Sequence, residues 1–241
     1  MSLASALERA GKVHLHARLA DDPRAHAWTL SLYRAGERHP ETVADYFPIE
    51  HAAARWPELA ASMKRHAADE RKHAALYARA IERMGQPVLD FGDDDVFNHV
   101  IRSHTRAAWR IDPRDGQDVV RLKIAHFLAH AHFLEKRVTR SVRFHAEGCA
   151  RAGREEIRAV VERVLADEER HVGYTAEALS ELLGRQERAL VLRVHAEGEA
   201  RADRAFSARQ LRTFLDRHAA GLPRADHFFY AASALVMETF S

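Results

Sequence analysis

Two copies of one short pattern constrain this chain more than anything else in it. Asp69-Glu70-Arg71-Lys72-His73 returns 98 residues later as Asp167-Glu168-Glu169-Arg170-His171. In a helix, residues i and i+3 project from one face about a turn apart, so each Glu-x-x-His presents a carboxylate and an imidazole that can grip one metal ion. The repeat reaches further, because Glu37 precedes Glu70 by 33 residues and Glu135 precedes Glu168 by 33. A helix rising ~1.5 Å per residue that runs about 14 residues, turns and returns brings both positions to one height. Glu37 is therefore expected to face Glu70, and Glu135 to face Glu168, in two helical hairpins.

The composition agrees with hairpins of helices. Gly and Pro are sparse, at 11 and 7 in 241 residues, while Ala, Arg, Leu and Glu dominate, so little favours strands. With 46% hydrophobic residues the chain can bury a substantial core. The expected class is all-α, one domain over residues 1–241 with its core at about 23–184 and a helical extension at 185–241. The single Cys149 excludes an internal disulfide, and no apolar run reaches the ~20 residues that span a bilayer, so a soluble protein of a reducing cytoplasm is expected, with no membrane partner. A formal charge of +2, with acidic residues interleaved among the arginines, gives no reason to expect nucleic acid.

Read in order, residues 2–19 form a first helix. Asp22 caps the next one, with Pro23 in its first turn and His26, Leu30, Tyr33 and Glu37 facing inward. Pro40 removes the hydrogen bond to the Gly36 carbonyl, so this helix should kink there and continue through residues 42–47, with Glu41 the rival of Glu37 as ligand. Pro57 starts the second core helix, whose inward stripe is Leu59, Met63, His66, Glu70, His73, Tyr77 and Met84. The acidic triplet 93–95 is expected to open a connecting helix through Val96, Val100 and Trp109. A third helix turns Ile124, Leu128, Ala131, Glu135, Val138, Val142 and His145 inward, with Gly148 and Gly153 at its turn. The fourth carries Ile157, Val161, Val164, Glu168, His171, Thr175, Ala178 and Leu182 at the 3.5-residue period of a left-handed bundle. Beyond Gly184 come a long helix, residues 186–218, and an apolar tail in which Phe228, Phe229, Tyr230 and Leu235 form a candidate contact patch, compatible with a homodimer.

Unpartnered carboxylates on a core stripe would be strongly disfavoured, and metal ions supply the partner. Four carboxylates with two imidazoles make a hard, oxygen-rich donor set suited to iron or manganese. Glycine-rich phosphate loops and the Gly-x-Ser-x-Gly nucleophile elbow are absent, and one cysteine cannot hold an iron–sulfur cluster.

Four inward Glu and two inward His from four helices resemble the ligand set of the ferritin-like di-iron and di-manganese carboxylate superfamily. Asp167-Glu168-Glu169-Arg170-His171 also matches the fuller signature of its oxygen-activating branch, which includes rubrerythrins and bacterioferritins; the first copy has Lys72 where Arg would stand. The resemblance implies a ferritin-like four-helix bundle with a crossover connection and extra terminal helices. It implies a catalytic metal centre with Glu37 and His73 on one ion, Glu135 and His171 on the other, and Glu70 and Glu168 bridging. Two Fe ions are expected, with Mn or a mixed Mn/Fe pair as the alternative. Asp69 and Asp167 look like the aspartates that orient ligand histidines in that superfamily, and Arg170 belongs to the same surrounding layer. His66, one turn before Glu70, gives a pattern resembling the three-histidine sites of di-iron arylamine N-oxygenases and is a candidate additional ligand. The implied activity is oxidation or hydroxylation of a small organic substrate by dioxygen, with an external electron donor. Iron storage of the bacterioferritin type and tRNA hydroxylation are the competing functions, and a bundle that has lost its metal is the non-enzymatic one.

Overall fold

The structure, a computed structural model, describes residues 3–43, 46–91, 110–220 and 222–239. Among them there is helix and no strand. The elements are α1 (Leu3–Asp21), α2 (Pro23–Glu37), α3 (His39–Thr42), α4 (Ile49–Ala53), α5 (Pro57–Arg83), α6 (Gln117–Arg151), α7 (Glu155–Leu182), α8 (Arg185–His218) and α9 (Arg224–Thr239). No helix among the described residues is long and apolar enough to cross a membrane. The connecting helix expected through Val96, Val100 and Trp109 lies outside the described residues.

Local chemistry sets the ends of the helices that matter. Asp22 caps α2, its carboxylate accepting from the Arg24 N–H at 2.8 Å, and Pro23 occupies the first turn. α5 ends on Gly85 at φ 68°, where Gly85 and Gln86 donate back to the carbonyls of Glu82 and Ile81. Gly153 repeats the device at φ 66°, with Gly153 and Arg154 donating to Ala150 and Cys149. Both are left-handed terminations that glycine adopts without a Cβ clash. Gly148, expected at this turn, instead lies inside α6. A Cβ there would come within 2.7 Å of the His16 backbone, so its role is the close approach of α1 to α6.

The helix expected to continue beyond Pro40 does not. α2 stops at Glu37, and the Arg38 N–H closes on the carbonyls of Arg34 and Gly36. α3 supplies a single turn, and Val43 is extended. Pro40 has no N–H to carry the helix ladder past this point. The freed chain lays Tyr46 and Phe47 against Phe127, at ring separations of 5.8 and 5.4 Å, and Phe47 against His66 at 4.9 Å.

α2 packs on α5, α6 on α7, and α5 on α7, so the inward faces of four helices meet. All eight seam positions of α7 from Ile157 to Leu182 are buried, as are the inward positions of α5 except Met84, which is half-buried at the helix end. Val138 on α6 is likewise half-buried. One apolar cluster, including Leu59, Met63, Ile124, Leu128 and Leu179, fills one end of this interior. Another, including Leu30, Ile81, Val142, Val161 and Val164, fills the other. The charged side chains sit between them. A third cluster seats α1, α8 and α9 on the outer face of α2 through Leu19, Trp28, Leu32, Phe214 and Tyr230. The tail patch is therefore corrected: Phe228, Phe229 and Leu235 are exposed, but Tyr230 is in the core.

Candidate metal centre

Every one of the six sequence-predicted ligands reaches the space between the two apolar clusters, and all six are buried. Glu37, Glu70, His73 and Glu168 bring donor atoms within 4.8 Å of one another, and so do His66, Glu70, Glu135 and His171. Glu70 belongs to both groups. Glu168 lies between the two motif histidines, with Oε1 3.0 Å from His73 Nδ1 and Oε2 3.0 Å from His171 Nδ1. His73 Nδ1 is also 3.2 Å from Glu37 Oε2. Glu41 is outside the cluster, exposed and paired with Arg38 at 3.6 Å.

Both motif histidines turn Nδ1 toward the carboxylates and Nε2 away from them, and each Nε2 meets the aspartate of the opposite motif. His73 Nε2 is 3.0 Å from Asp167 Oδ2, and His171 Nε2 is 3.5 Å from Asp69 Oδ2. Arg170 donates to both aspartates, at 2.6 Å to Asp69 and 2.9 Å to Asp167. Lys72 donates to Asp167 at 2.5 Å and to Asp69 at 3.5 Å. The departure at Lys72 thus preserves the charge pattern, each cation joining the two motifs. Burial alone would raise both aspartates, but these hydrogen bonds outweigh it and hold both carboxyls below the ordinary range. An ionised acceptor on Nε2 fixes one proton there and makes Nδ1 the nitrogen turned inward, where it faces the glutamates and is the atom a cation would meet once its own proton is lost.

His66 joins the cluster rather than the bare core. Its Nε2 is 3.1 Å from Glu70 and 3.3 Å from Glu135, its Nδ1 pairs with the Tyr174 hydroxyl at 2.8 Å, and its ring stacks on His171 at 3.7 Å. Tyr174 is thereby given a definite partner. Of the other nearby tyrosines, Tyr77 is fully buried beside the glutamates, and the Tyr33 hydroxyl meets His145.

The electrostatics are those of an over-full acidic box. Burial first, and the Glu168 charge next, push Glu37 up to about 7. Burial and the Glu37 charge do the same to Glu70. Glu135 is pushed well above the ordinary range by burial and by Glu168. Glu168 alone is held low, because hydrogen bonds from His171 and His73 outweigh its burial. His73 rises to about 11 against its own burial, through hydrogen bonds to Glu168 and Glu37. Comparison with protein-family models, with curated proteins and with solved structures finds no match.

The donor set can be tested against a cation on its own terms. Glu70 Oε1 and Glu168 Oε1 lie 3.1 Å from His66 Nε2 and 3.0 Å from His73 Nδ1, close enough for charge attraction but poorly aligned as hydrogen bonds. Two buried carboxylate oxygens are thereby left under-satisfied, and a buried acceptor without a good partner costs on the order of 1–3 kcal/mol. Cations would satisfy both, and the oxygen-rich set fits hard ions such as Fe and Mn. All four glutamates also line a cavity of about 50 Å³, walled by Tyr33, Tyr77, Val138 and Phe206 among others. A water occupies ~30 Å³ of liquid, so this space holds one or two molecules the size of dioxygen.

Sequence reasoning missed the crossing of the aspartates, each serving the other motif. It missed too the link between Tyr174 and His66, and the packing of Phe47 on that histidine. The Asp before each motif was a visible signal; which histidine it reaches depends on how α5 and α7 are rotated against each other, which no local pattern encodes.

Proposed function

We propose that this protein is a ferritin-like di-iron carboxylate oxidoreductase that activates dioxygen to oxidise or hydroxylate a small organic substrate. The observation that carries the reading is the crossed pair of aspartates, which holds both Glu-x-x-His histidines with Nδ1 turned to four shared glutamates. In this reading α2, α5, α6 and α7 form a four-helix bundle whose crossover runs from α5 to α6. Glu37 and His73 would hold one iron, Glu135 and His171 the other, and Glu70 and Glu168 both. His66 adds a third imidazole on the Glu135 side.

A ferrous pair held here would supply two electrons toward the reduction of dioxygen. The protein's part is positional. Asp69 and Asp167 keep the histidines in one tautomer, and Lys72 and Arg170 keep the aspartates ionised. Glu37, Glu70 and Glu135, pushed up by burial and by neighbouring carboxylates, and His73, held protonated by Glu168 and Glu37, would release protons as cations enter, while Glu168 is already ionised. Tyr33, Tyr77, Val138 and Phe206 give the cavity beside the glutamates a mostly apolar wall, the surroundings in which dioxygen would meet the centre.

Anaerobic reconstitution with ferrous iron followed by elemental analysis tests the metal. About two irons per chain are expected, and a value near zero would remove the reading. Aerobic titration then tests function: oxidation saturating at two irons per chain fits an enzyme, whereas continued mineral growth in a large shell would identify an iron store instead.

A further inference from the structure

A second buried donor cluster lies apart from the carboxylates, where α2 meets α6 beneath α1. His26 Nε2 and His145 Nε2 are 2.9 Å apart, Cys149 Sγ is 3.8 Å from His26 Nε2, and the three donors fall within 4.8 Å of one another. All three side chains are fully buried. We propose that His26, His145 and Cys149 form a mononuclear site for a borderline-soft cation of the Zn²⁺ class, distinct from the carboxylate centre.

Several features of the fold suit this chemistry. His145 and Cys149 are i and i+4 on one helix, so they share a face and chelate from a rigid element, and His26 closes the site from α2. The His145 Nδ1 meets the Tyr33 hydroxyl at 3.1 Å, which orients its Nε2 toward His26 and Cys149, as partners of ligand histidines do. The His16 ring stacks on His145 at 5.1 Å from α1, held there by the contact at Gly148 that leaves no space for a Cβ. His26 also borders a cavity of about 270 Å³ with Pro23, Arg83, Met84, Arg154 and Glu155, which brings open space to one of the three donor side chains. Two nitrogens and a sulfur are a softer set than the glutamates, so the two centres would sort different metals. Without an ion, the two Nε2 atoms must share one proton and the thiol keeps its own. Binding of a dication would release the thiol proton to solvent and shift the proton shared by the two Nε2 atoms to the Nδ1 of its own ring, so that both imidazoles stay neutral with their Nε2 lone pairs on the ion.

Cobalt(II) titrated to saturation into the folded full-length chain tests this. Thiolate ligation gives sulfur-to-cobalt charge-transfer absorption, and Cys149 is the sole cysteine, so the band can come from nowhere else. The carboxylate centre contains no sulfur and is silent in it. The expected result is a band that saturates at one Co²⁺ per chain, is suppressed by prior addition of one equivalent of Zn²⁺ beyond those taken by the carboxylates, and needs at least tenfold more Co²⁺ in His26→Gln. Folded wild-type protein that binds cobalt without the band overturns the proposal. A band of unchanged affinity in folded His26→Gln does so too. The Zn²⁺ competition uses the wild-type chain alone, and a band that persists through it excludes a Zn²⁺-class site whether or not the variant folds.

Discussion

The two buried polar regions on α6 solve opposite problems. Around Glu135 the interior holds four carboxylates, whose charges can be kept only by imidazoles, an outer ring of Asp, Lys and Arg, and cations. Elsewhere along the same helix the interior holds imidazoles that are kept neutral: His145 with His16 and His26 toward one end, His130 with His195 toward the other. Burial lowers His16 and His130 to about 3, and His26 and His195 to about 4. A neutral imidazole can be buried with little support, whereas a carboxylate needs a network. The amount of surrounding structure around each region follows from that difference.

The comparison breaks most visibly if the carboxylate that joins both motif histidines is removed. Glu168→Ala should lose most of the bound iron and with it the metal-dependent rise in melting temperature. A ligand at 100 times its Kd adds about 2.7 kcal/mol, or ~5–10 °C for a chain this size. Differential scanning calorimetry with and without ferrous iron checks this, and an equal rise in the variant would show that the ions bind elsewhere.

Next in size is the outer ring. Asp69→Asn and Asp167→Asn should each weaken metal binding by about 10–100-fold while leaving the helices intact. Competition against a chelator, with circular dichroism as the control, measures it. Equal affinities in all three proteins would mean that the crossed hydrogen bonds do not orient the histidines.

The neutral region predicts its own pH dependence. His130 has a folded pKa below its unfolded value of 6.5, so the unfolded chain takes up the proton first. Stability therefore falls as pH drops from 6.5 toward 3, by about 2 kcal/mol at pH 5 from this group alone. Glu37 and Glu70, raised to about 7, act in the opposite sense: metal-free, they favour the folded state below their unfolded pKa, and that contribution is lost as pH climbs through 7. Urea denaturation at pH 7 and 5 should show His130→Leu less acid-sensitive than wild type by about that 2 kcal/mol. Identical slopes would mean that His130 is not held neutral.

The smallest effect expected is at the helix that serves both regions. Asp22→Ala removes the α2 cap and should cost ~1 kcal/mol, seen as a drop of ~2–4 °C in melting temperature. A larger drop in the metal-loaded protein than in the metal-free one would show that α2 is anchored mainly through Glu37.

The seams of α5 and α7 could be read from the chain because side-chain direction in a helix is a local property. Glu70, His73, Glu168 and His171 fall on apolar stripes whose spacing is visible within a few residues. Glu37 and Glu135 were legible through the repeated interval. Pro40 showed that α2 would be disturbed but not that it would end there, because the outcome turned on where Tyr46 and Phe47 could be buried. Gly148 read as a turn residue and proved to be a contact point, since a glycine signals missing bulk without saying what fills the space. His26 and Cys149 lie more than a hundred residues apart, and only the docking of α2 on α6 makes them neighbours.

Tyr33 was described as a wall of the cavity and as the partner of His145, and those are two faces of one side chain. The partition between the acidic centre and the imidazole–thiol cluster is therefore a single phenol thick. Its ring tilts against Tyr77 at 5.6 Å and against His145 at 5.3 Å, so it touches aromatic neighbours of both regions. Any substitution at Tyr33 therefore alters two places at once, the wall of the cavity beside the glutamates and the support of His145.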